Sequence, residues 1–157
     1  MKNKKNIFIA SLILVSLTSL VFLIINNDKK IEKFYLEDEY YNSDGLTQVT
    51  KENVEKLLED KKSFILFADT NFCTLGVPCK DVFKEASETK NLNILQFSFN
   101  ELKETKLYDK IKYGPTVIII KEGKVVDYLD ANSEEHSTLY QNTDMFYEWL
   151  TKYILVG

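Results

Sequence analysis

The chain of 157 residues is 45% hydrophobic and 28% charged, which fits one globular domain and argues against a long disordered or low-complexity region. Its 24 acidic residues outnumber the 20 basic ones, and the formal charge of −4 removes the electrostatic basis for binding nucleic acid. We therefore expect no nucleic acid among its partners.

The first predicted element is an apolar run at residues 7–25, which contains no charge, proline or glycine. A helix of this length, rising about 1.5 Å per residue, nearly covers the ~30 Å hydrocarbon core of a bilayer, so the run predicts a transmembrane anchor. A cleaved signal peptide is the alternative, but no small-x-small cleavage site follows the run. The three lysines within residues 1–6 favour a cytoplasmic N-terminus. The sequence thus predicts a single-pass protein of the cell membrane with its globular domain outside.

Residues 26–44 are mostly polar and are predicted to form a stalk, in which 34–36 is the candidate for a short edge strand. In residues 45–157, helical and strand periodicities alternate, which is typical of an α/β layered domain. The predicted order is helix, strand, cysteine loop, helix, strand, helix, hairpin, helix.

Local signals place the elements of the first half of this domain. Thr50 is predicted to cap the first helix, because its hydroxyl can accept from a free N–H of the first turn. Pro78 suits the first turn of the second helix, where its missing N–H is not needed. Apolar runs predict buried strands on either side of the cysteine loop, and the polar and apolar spacing after them predicts a third helix. These predicted segments are the strands 64–68 and 93–99 and the helices 53–60, 77–88 and 101–112.

The second half is predicted to contain a hairpin and a final helix. Two β-branched runs within 115–131 meet at Glu122-Gly123, where glycine supplies the positive φ that a tight turn needs. The segment 143–155 predicts an amphipathic helix packed on the sheet, with four large side chains on its buried side, namely Met145, Phe146, Trp149 and Tyr153.

The two cysteines lie in the segment FCTLGVPCKD, where five residues separate Cys73 from Cys79 and Pro78 precedes the second. A strand, such a cysteine loop, a helix, and later Gly114-Pro115 leading into a hairpin together resemble thioredoxin. The segments that carry the resemblance are FILFAD with VPCKDVF, and KYGPTVIIIKEGKVVDYLDA. It covers residues 45–155.

The resemblance implies a thioredoxin-like fold, with a central mixed β-sheet flanked by helices. It implies that Pro115 is a cis-proline facing the redox pair, and that Cys79 stands in the place of the second active-site cysteine. Gly114 and Pro115 would present backbone groups to an extended substrate segment. Protein thiols and disulfides would be the substrates, together with a redox partner that the sequence does not identify.

The chain also departs from the thioredoxin pattern, which has two residues between its cysteines. The five residues here move Cys73 away from the helix N-terminus, which lowers a thiol pKa only within about one turn. Phe72 stands where the family usually has tryptophan, and the family's buried acidic residue has no counterpart in SFILFA. Proton transfer during exchange would then depend on water or on Asp69.

The sequence therefore predicts a membrane-tethered thiol–disulfide oxidoreductase acting on extracytoplasmic proteins, with Cys73 attacking and Cys79 resolving. The opposite order is the alternative, because Cys79 is nearer the helix N-terminus and would then be the thiol of lower pKa. No cofactor is expected, because the Cys73–Cys79 pair would itself accept and release the electrons. A non-catalytic binding or accessory module, for example in secretion or peptide export, is the alternative, since a structural disulfide persists in an oxidising setting. Metal binding is disfavoured because two cysteines and the lone His136 do not make a four-ligand site, and His136 is expected to be a solvated loop residue.

Overall fold

The computed structural model describes residues 31–42, 45–70 and 77–156. The predicted anchor at 7–25 and the predicted nucleophile Cys73 lie outside these ranges. Within them, no helix combines the length and the apolar character that a bilayer crossing requires. The described residues from Glu32 onward belong to one compact unit.

The centre of this unit is a mixed sheet with the strand order β1-β3-β2-β4-β5. The strands β1, β3 and β2 run parallel to one another, whereas β4 pairs antiparallel with both β2 and β5. The two central strands, β2 and β4, are buried along almost their whole length, which explains their unbroken apolar runs. The strand bounds are β1 Leu46–Gln48, β2 Phe64–Asp69, β3 Ile94–Ser98, β4 Thr116–Lys121 and β5 Lys124–Tyr128.

Within the described residues, four α-helices and three short 3-10 helices accompany these strands. The α-helices are α1 Lys51–Glu59, α2 Cys79–Lys90, α3 Phe99–Leu102 and α4 Thr143–Leu150. The 3-10 helices are Asp38–Tyr40, Lys106–Asp109 and Ser137–Tyr140. Thr50 caps α1 as predicted, in a reciprocal capping box with Asn53. The α/β architecture predicted for the domain is confirmed.

An aromatic cluster joins α2 and α4 to the sheet. Phe83 of α2 lies with its ring 5.0 Å from that of Phe67 on β2 and 4.6 Å from that of Phe146 on α4. Trp149 and Tyr153 continue the cluster toward the C-terminus, with ring centroids 5.6 Å apart. These aromatics pack a helix pair on a sheet, as predicted.

The last helix differs from the prediction in its end, which is Leu150 and not residue 155, and in one residue of its buried side. Met145 was expected on the buried side, but 42% of it is exposed, while Leu150 is buried instead. The helix begins one residue after Asn142, whose side chain accepts a hydrogen bond from the Met145 N–H. Met145 therefore lies in the first turn of the helix, where it is exposed.

The continuous helix predicted at 101–112 is wrong, because α3 ends at Leu102 and a separate 3-10 helix follows. Thr105 separates the two. Its hydroxyl donates to the Leu102 carbonyl at 2.8 Å and accepts from the Leu107 N–H at 3.2 Å. A threonine that bonds backbone groups on both sides competes with the helical ladder and favours a turn.

The segment predicted as a stalk also needs correction. Residues 32–42, which we call the N-terminal strap, pack on the domain, and Leu36 and Tyr40 are buried in its core. The strap is paired with the C-terminal segment, since the Phe34 N–H donates to the Tyr153 carbonyl at 2.9 Å and the Leu155 N–H donates to the Phe34 carbonyl at 2.8 Å. The compact unit thus begins well before residue 45.

The hairpin of β4 and β5 is confirmed, with its turn at Glu122 and Gly123. Both residues have positive φ, 50° and 73°, the pattern of a type I′ turn that matches the twist of the strands. A side chain at Gly123 would collide with the Leu58 carbonyl oxygen at the end of α1. Glycine is needed here for close approach as well as for backbone conformation.

Candidate functional site

Cys79 is the first residue of α2, and its side chain is only 2% exposed. Pro78 was predicted to lie in the first turn of this helix. It is the N-cap, the residue directly before the first helical one. Its carbonyl accepts the Asp81 N–H at 2.9 Å and so closes the first turn. Cys79 is disulfide-bonded, and no free thiol occurs among the described residues.

The Gly114–Pro115 peptide bond is cis, the conformation that the resemblance implies for Pro115. Both residues are half-buried and open to solvent on one side. On the other side Gly114 packs on Phe99, whose ring would lie 2.6 Å from any added Cβ. Glycine therefore lets the chain pass close to the ring of a buried neighbour. The role of the two residues toward a substrate stays a prediction.

The strand registers bring this proline to the edge of the sheet at which β2 ends. Ala68, near the end of β2, pairs with Thr116 at the start of β4. Pro115 therefore lies beside Asp69, the residue from which the chain leaves β2 toward Cys79. The end of β3 lies at the same edge, because Asp69 also pairs with Ser98.

Polar and apolar groups surround this edge. The Gln96 amide on β3 donates to the Asp69 carboxylate at 2.9 Å. Val77 and Tyr113, which precede Pro78 and Gly114 in the chain, are 42% and 54% exposed. The edge therefore combines exposed apolar side chains with one oriented carboxylate. The proton-transfer role suggested for Asp69 stays a prediction.

Tyr140 is a residue of this region that the sequence did not single out. It is buried, and its hydroxyl lies 2.8 Å from the Pro115 carbonyl oxygen. The only sequence signal is one aromatic residue in the polar stretch STLYQN. The register of the 3-10 helix Ser137–Tyr140, which turns this side chain inward, could not be derived from that signal.

His136 lies apart from the cysteine loop and has a local structural role. Its Nδ1 accepts the Asp130 N–H at 2.9 Å, and the side chain is half-buried, not solvated as expected. Among residues 31–42, 45–70 and 77–156, no three His, Cys, Asp or Glu side chains come together in a way that could hold a metal ion. Cys73 and Phe72 lie outside these ranges, so their predicted roles stay predictions.

The architecture around the site is the one that the resemblance implies. Three parallel strands precede an antiparallel hairpin, α2 begins at a cysteine, and a cis-proline precedes β4. The fold is thioredoxin-like.

Known proteins were compared with the chain by sequence and by structure. No family model and no curated protein matches the sequence. A crystal structure of Schistosoma mansoni thioredoxin is 26% identical, with a TM-score of 0.44 over 65% of this chain and 95% of that one. The solution structure of oxidised Plasmodium falciparum thioredoxin is 21% identical, with a TM-score of 0.42 over 66% and 98%. Arabidopsis thaliana thioredoxin O2 in its oxidised state is 13% identical, with a TM-score of 0.42 over 66% and 95%.

Proposed function

We propose that the protein is a thiol–disulfide oxidoreductase that acts on protein substrates through Cys73 and Cys79. The observation that carries this proposal is the position of Cys79. It is the buried first residue of α2, the helix that follows β2, and the end of β2 pairs with the start of β4 directly after Pro115. A buried cysteine suits the resolving thiol of such a pair, because its sulfur needs to be reached only by the other cysteine of the same chain and not by a substrate protein.

In the reducing direction, the reaction begins with the Cys73 thiolate. It attacks one sulfur of a substrate disulfide, forms a mixed disulfide and releases the other substrate sulfur as a thiolate. The Cys79 thiolate then attacks the Cys73 sulfur, which closes the Cys73–Cys79 disulfide and releases the second substrate thiolate. The substrate gains two electrons and the protein loses two. The same steps in reverse oxidise a substrate dithiol, and a redox partner restores the starting state.

The remaining residues of the site suit the binding of an extended peptide. Backbone groups at Gly114 and Pro115 would pair with the substrate segment that flanks its cysteine. Val77 and Tyr113 would contact its apolar side chains, and Asp69, oriented by Gln96, would take up or release a proton near the cysteine loop.

A trapping experiment with the full-length protein tests this proposal. Cys79→Ser removes the resolving sulfur, so mixed disulfides between Cys73 and substrate proteins should accumulate. Cys73→Ser should trap almost none, and the variant lacking both cysteines is the control. Equal trapping by the two single variants would contradict the assignment of roles, and no trapping by either would contradict the function.

A non-catalytic module with a structural disulfide is the second candidate, and the burial of Cys79 favours it equally. The reduction potential of the full-length protein in detergent separates the two. A value between about −120 and −270 mV is typical of catalysts, whereas a value below about −300 mV is typical of structural disulfides.

The proposed location is the cell membrane, with residues 7–25 as the anchor and the folded unit outside. This part of the proposal is supported by the apolar run and the N-terminal lysines. Protease added to intact cells should digest a tag placed at the C-terminus. Protection of the tag would contradict the orientation.

A further inference from the structure

The hydroxyl of Tyr140 lies between two backbone carbonyl groups. It is 2.8 Å from the Pro115 oxygen and 3.1 Å from the Leu129 oxygen. A tyrosine hydroxyl has one hydrogen, and the Leu129 oxygen already accepts the Thr116 hydroxyl at 2.6 Å. The Tyr140 hydroxyl therefore donates its hydrogen to the Pro115 oxygen, which is the shorter contact.

The ring of Tyr140 connects the same carbonyl to the helix that carries Cys79. Its centroid is 5.7 Å from that of Phe83, which lies one turn after Cys79 on α2. One side chain thus contacts both halves of the proposed site, the helix through its ring and the Gly114–Pro115 segment through its hydroxyl.

The hydroxyl keeps its hydrogen across the physiological pH range. Burial, with the nearby Asp130 carboxylate, raises the pKa of Tyr140 far above its ordinary value of about 10. Tyr140 therefore acts as a constant hydrogen-bond donor and not as an acid or base.

We propose that Tyr140 is a positioning residue, which holds the Pro115 carbonyl in place and thereby fixes the backbone that pairs with an extended peptide substrate. This inference rests on the proposed oxidoreductase function. It predicts that the hydroxyl affects the binding of peptide disulfides and leaves the chemistry of the cysteines unchanged. A small disulfide without a peptide backbone would not depend on Tyr140.

The test compares Tyr140→Phe with a matched variant, Tyr41→Phe, in the full-length protein. Tyr41 also donates its hydroxyl to a backbone carbonyl at 2.8 Å, that of Leu155, which belongs to the C-terminal segment paired with the strap. Each variant loses one hydroxyl and keeps its ring. The substrates are a disulfide-linked peptide and hydroxyethyl disulfide, and kcat and KM are measured for both.

Tyr140→Phe should raise KM for the peptide about three- to tenfold, the effect of one lost hydrogen bond, with kcat within about twofold of the wild type. Its rate with hydroxyethyl disulfide should not change, and Tyr41→Phe should behave as the wild type with both substrates. Any of three results would overturn the positioning role. These are an equal KM for the peptide in both variants, a fall in the kcat of Tyr140→Phe with both substrates, and failure of Tyr140→Phe to fold. Absence of exchange by the wild type would overturn the proposed function, and the positioning role with it, whereas the preceding outcomes leave that function intact.

Discussion

Tyr41 and Tyr140 place the same group in the same kind of bond, in two regions with different tasks. The Tyr41 hydroxyl accepts the Leu36 N–H at 2.9 Å and donates to the Leu155 carbonyl at 2.8 Å, which ties the N-terminal strap to the C-terminal segment. The Tyr140 hydroxyl donates at the same distance to the Pro115 carbonyl. The geometry of the two bonds does not distinguish them.

Their surroundings do distinguish them. Tyr41 joins two segments that carry none of the predicted chemistry, so its bond matters for stability alone. Tyr140 joins a segment of the proposed site to the helix that begins at Cys79, so the same bond also affects what the site can hold. The role of a buried hydrogen bond is thus read from the segments it connects, and not from its length.

The strongest way to break this comparison is to remove the packing beneath Tyr140. Phe83→Ala deletes a fully buried ring in contact with Phe67, Tyr140 and Phe146. The free energy of unfolding should fall by about 3–5 kcal/mol, as for other large-to-small core changes. Urea denaturation measures the fall. The control is Phe34→Ala in the strap, where 7% of the residue is exposed. A loss of unfolding free energy in Phe34→Ala as large as in Phe83→Ala would contradict the comparison.

A smaller effect is expected where the site backbone passes Phe99. Gly114→Ala would place a methyl group 2.6 Å from the ring, and overpacking of this kind costs about 1–3 kcal/mol. Exchange with peptide disulfides should weaken as well, because the ring and the Gly114 backbone must separate. Adding Phe99→Leu should restore part of both losses, measured as the urea midpoint and peptide KM. A Gly114→Ala protein that matches the wild type in both would show that the contact is not needed.

The two tyrosine variants sharpen the comparison directly. Tyr140→Phe should lower the free energy of unfolding by about 1 kcal/mol, since it loses one hydrogen bond to a backbone carbonyl, and Tyr41→Phe by about 2 kcal/mol, since it also loses the bond from the Leu36 N–H. A loss of stability at Tyr41 at least as large as at Tyr140, combined with a KM effect at Tyr140 alone, would separate the structural role from the positioning role. Chemical denaturation of both variants under one set of conditions provides the measurement.

The smallest effect concerns the strap at high pH. Burial, followed by the nearby Glu39 carboxylate, raises the pKa of Tyr40 to about 12, whereas its value in the unfolded chain is about 10. Since the folded state keeps this proton to higher pH, its contribution to stability is complete below pH 10 and is lost as the pH rises from 10 to 12. Tyr40→Phe should make the fall in stability over this window less steep. Unfolding curves of the wild type and of Tyr40→Phe at several alkaline pH values provide the measurement. An equally steep fall in stability for both proteins would contradict the prediction.

The sequence predicted those elements whose pattern is local and strong. The buried strands β2 and β4 are continuous apolar runs, the hairpin turn has glycine where positive φ is required, and the cap of α1 has Thr50 with a partner three residues on. Each of these signals is contained in fewer than ten residues. Tertiary context did not override them.

The sequence did not predict elements that depend on distant partners. β1 was missed because its three residues, Leu46–Gln48, gain their strand conformation only by pairing with β3. The strap was interpreted as a stalk because Phe34, Leu36 and Tyr40 are scattered among charged residues, and their burial requires the C-terminal segment. Tyr140 was missed for the same reason, since the Pro115 carbonyl is 25 residues away in the chain.

The bridge between Phe34 and Ile154 has a mechanical consequence. The two segments run in the same direction, and two backbone hydrogen bonds flank Phe34, one to Tyr153 and one from Leu155. Tension applied between residues 32 and 156 would pull these parallel segments past each other. Both hydrogen bonds would then carry the load together, in shear, and would not open one after the other. The strap thus joins the ends of the folded unit in the geometry that resists extension.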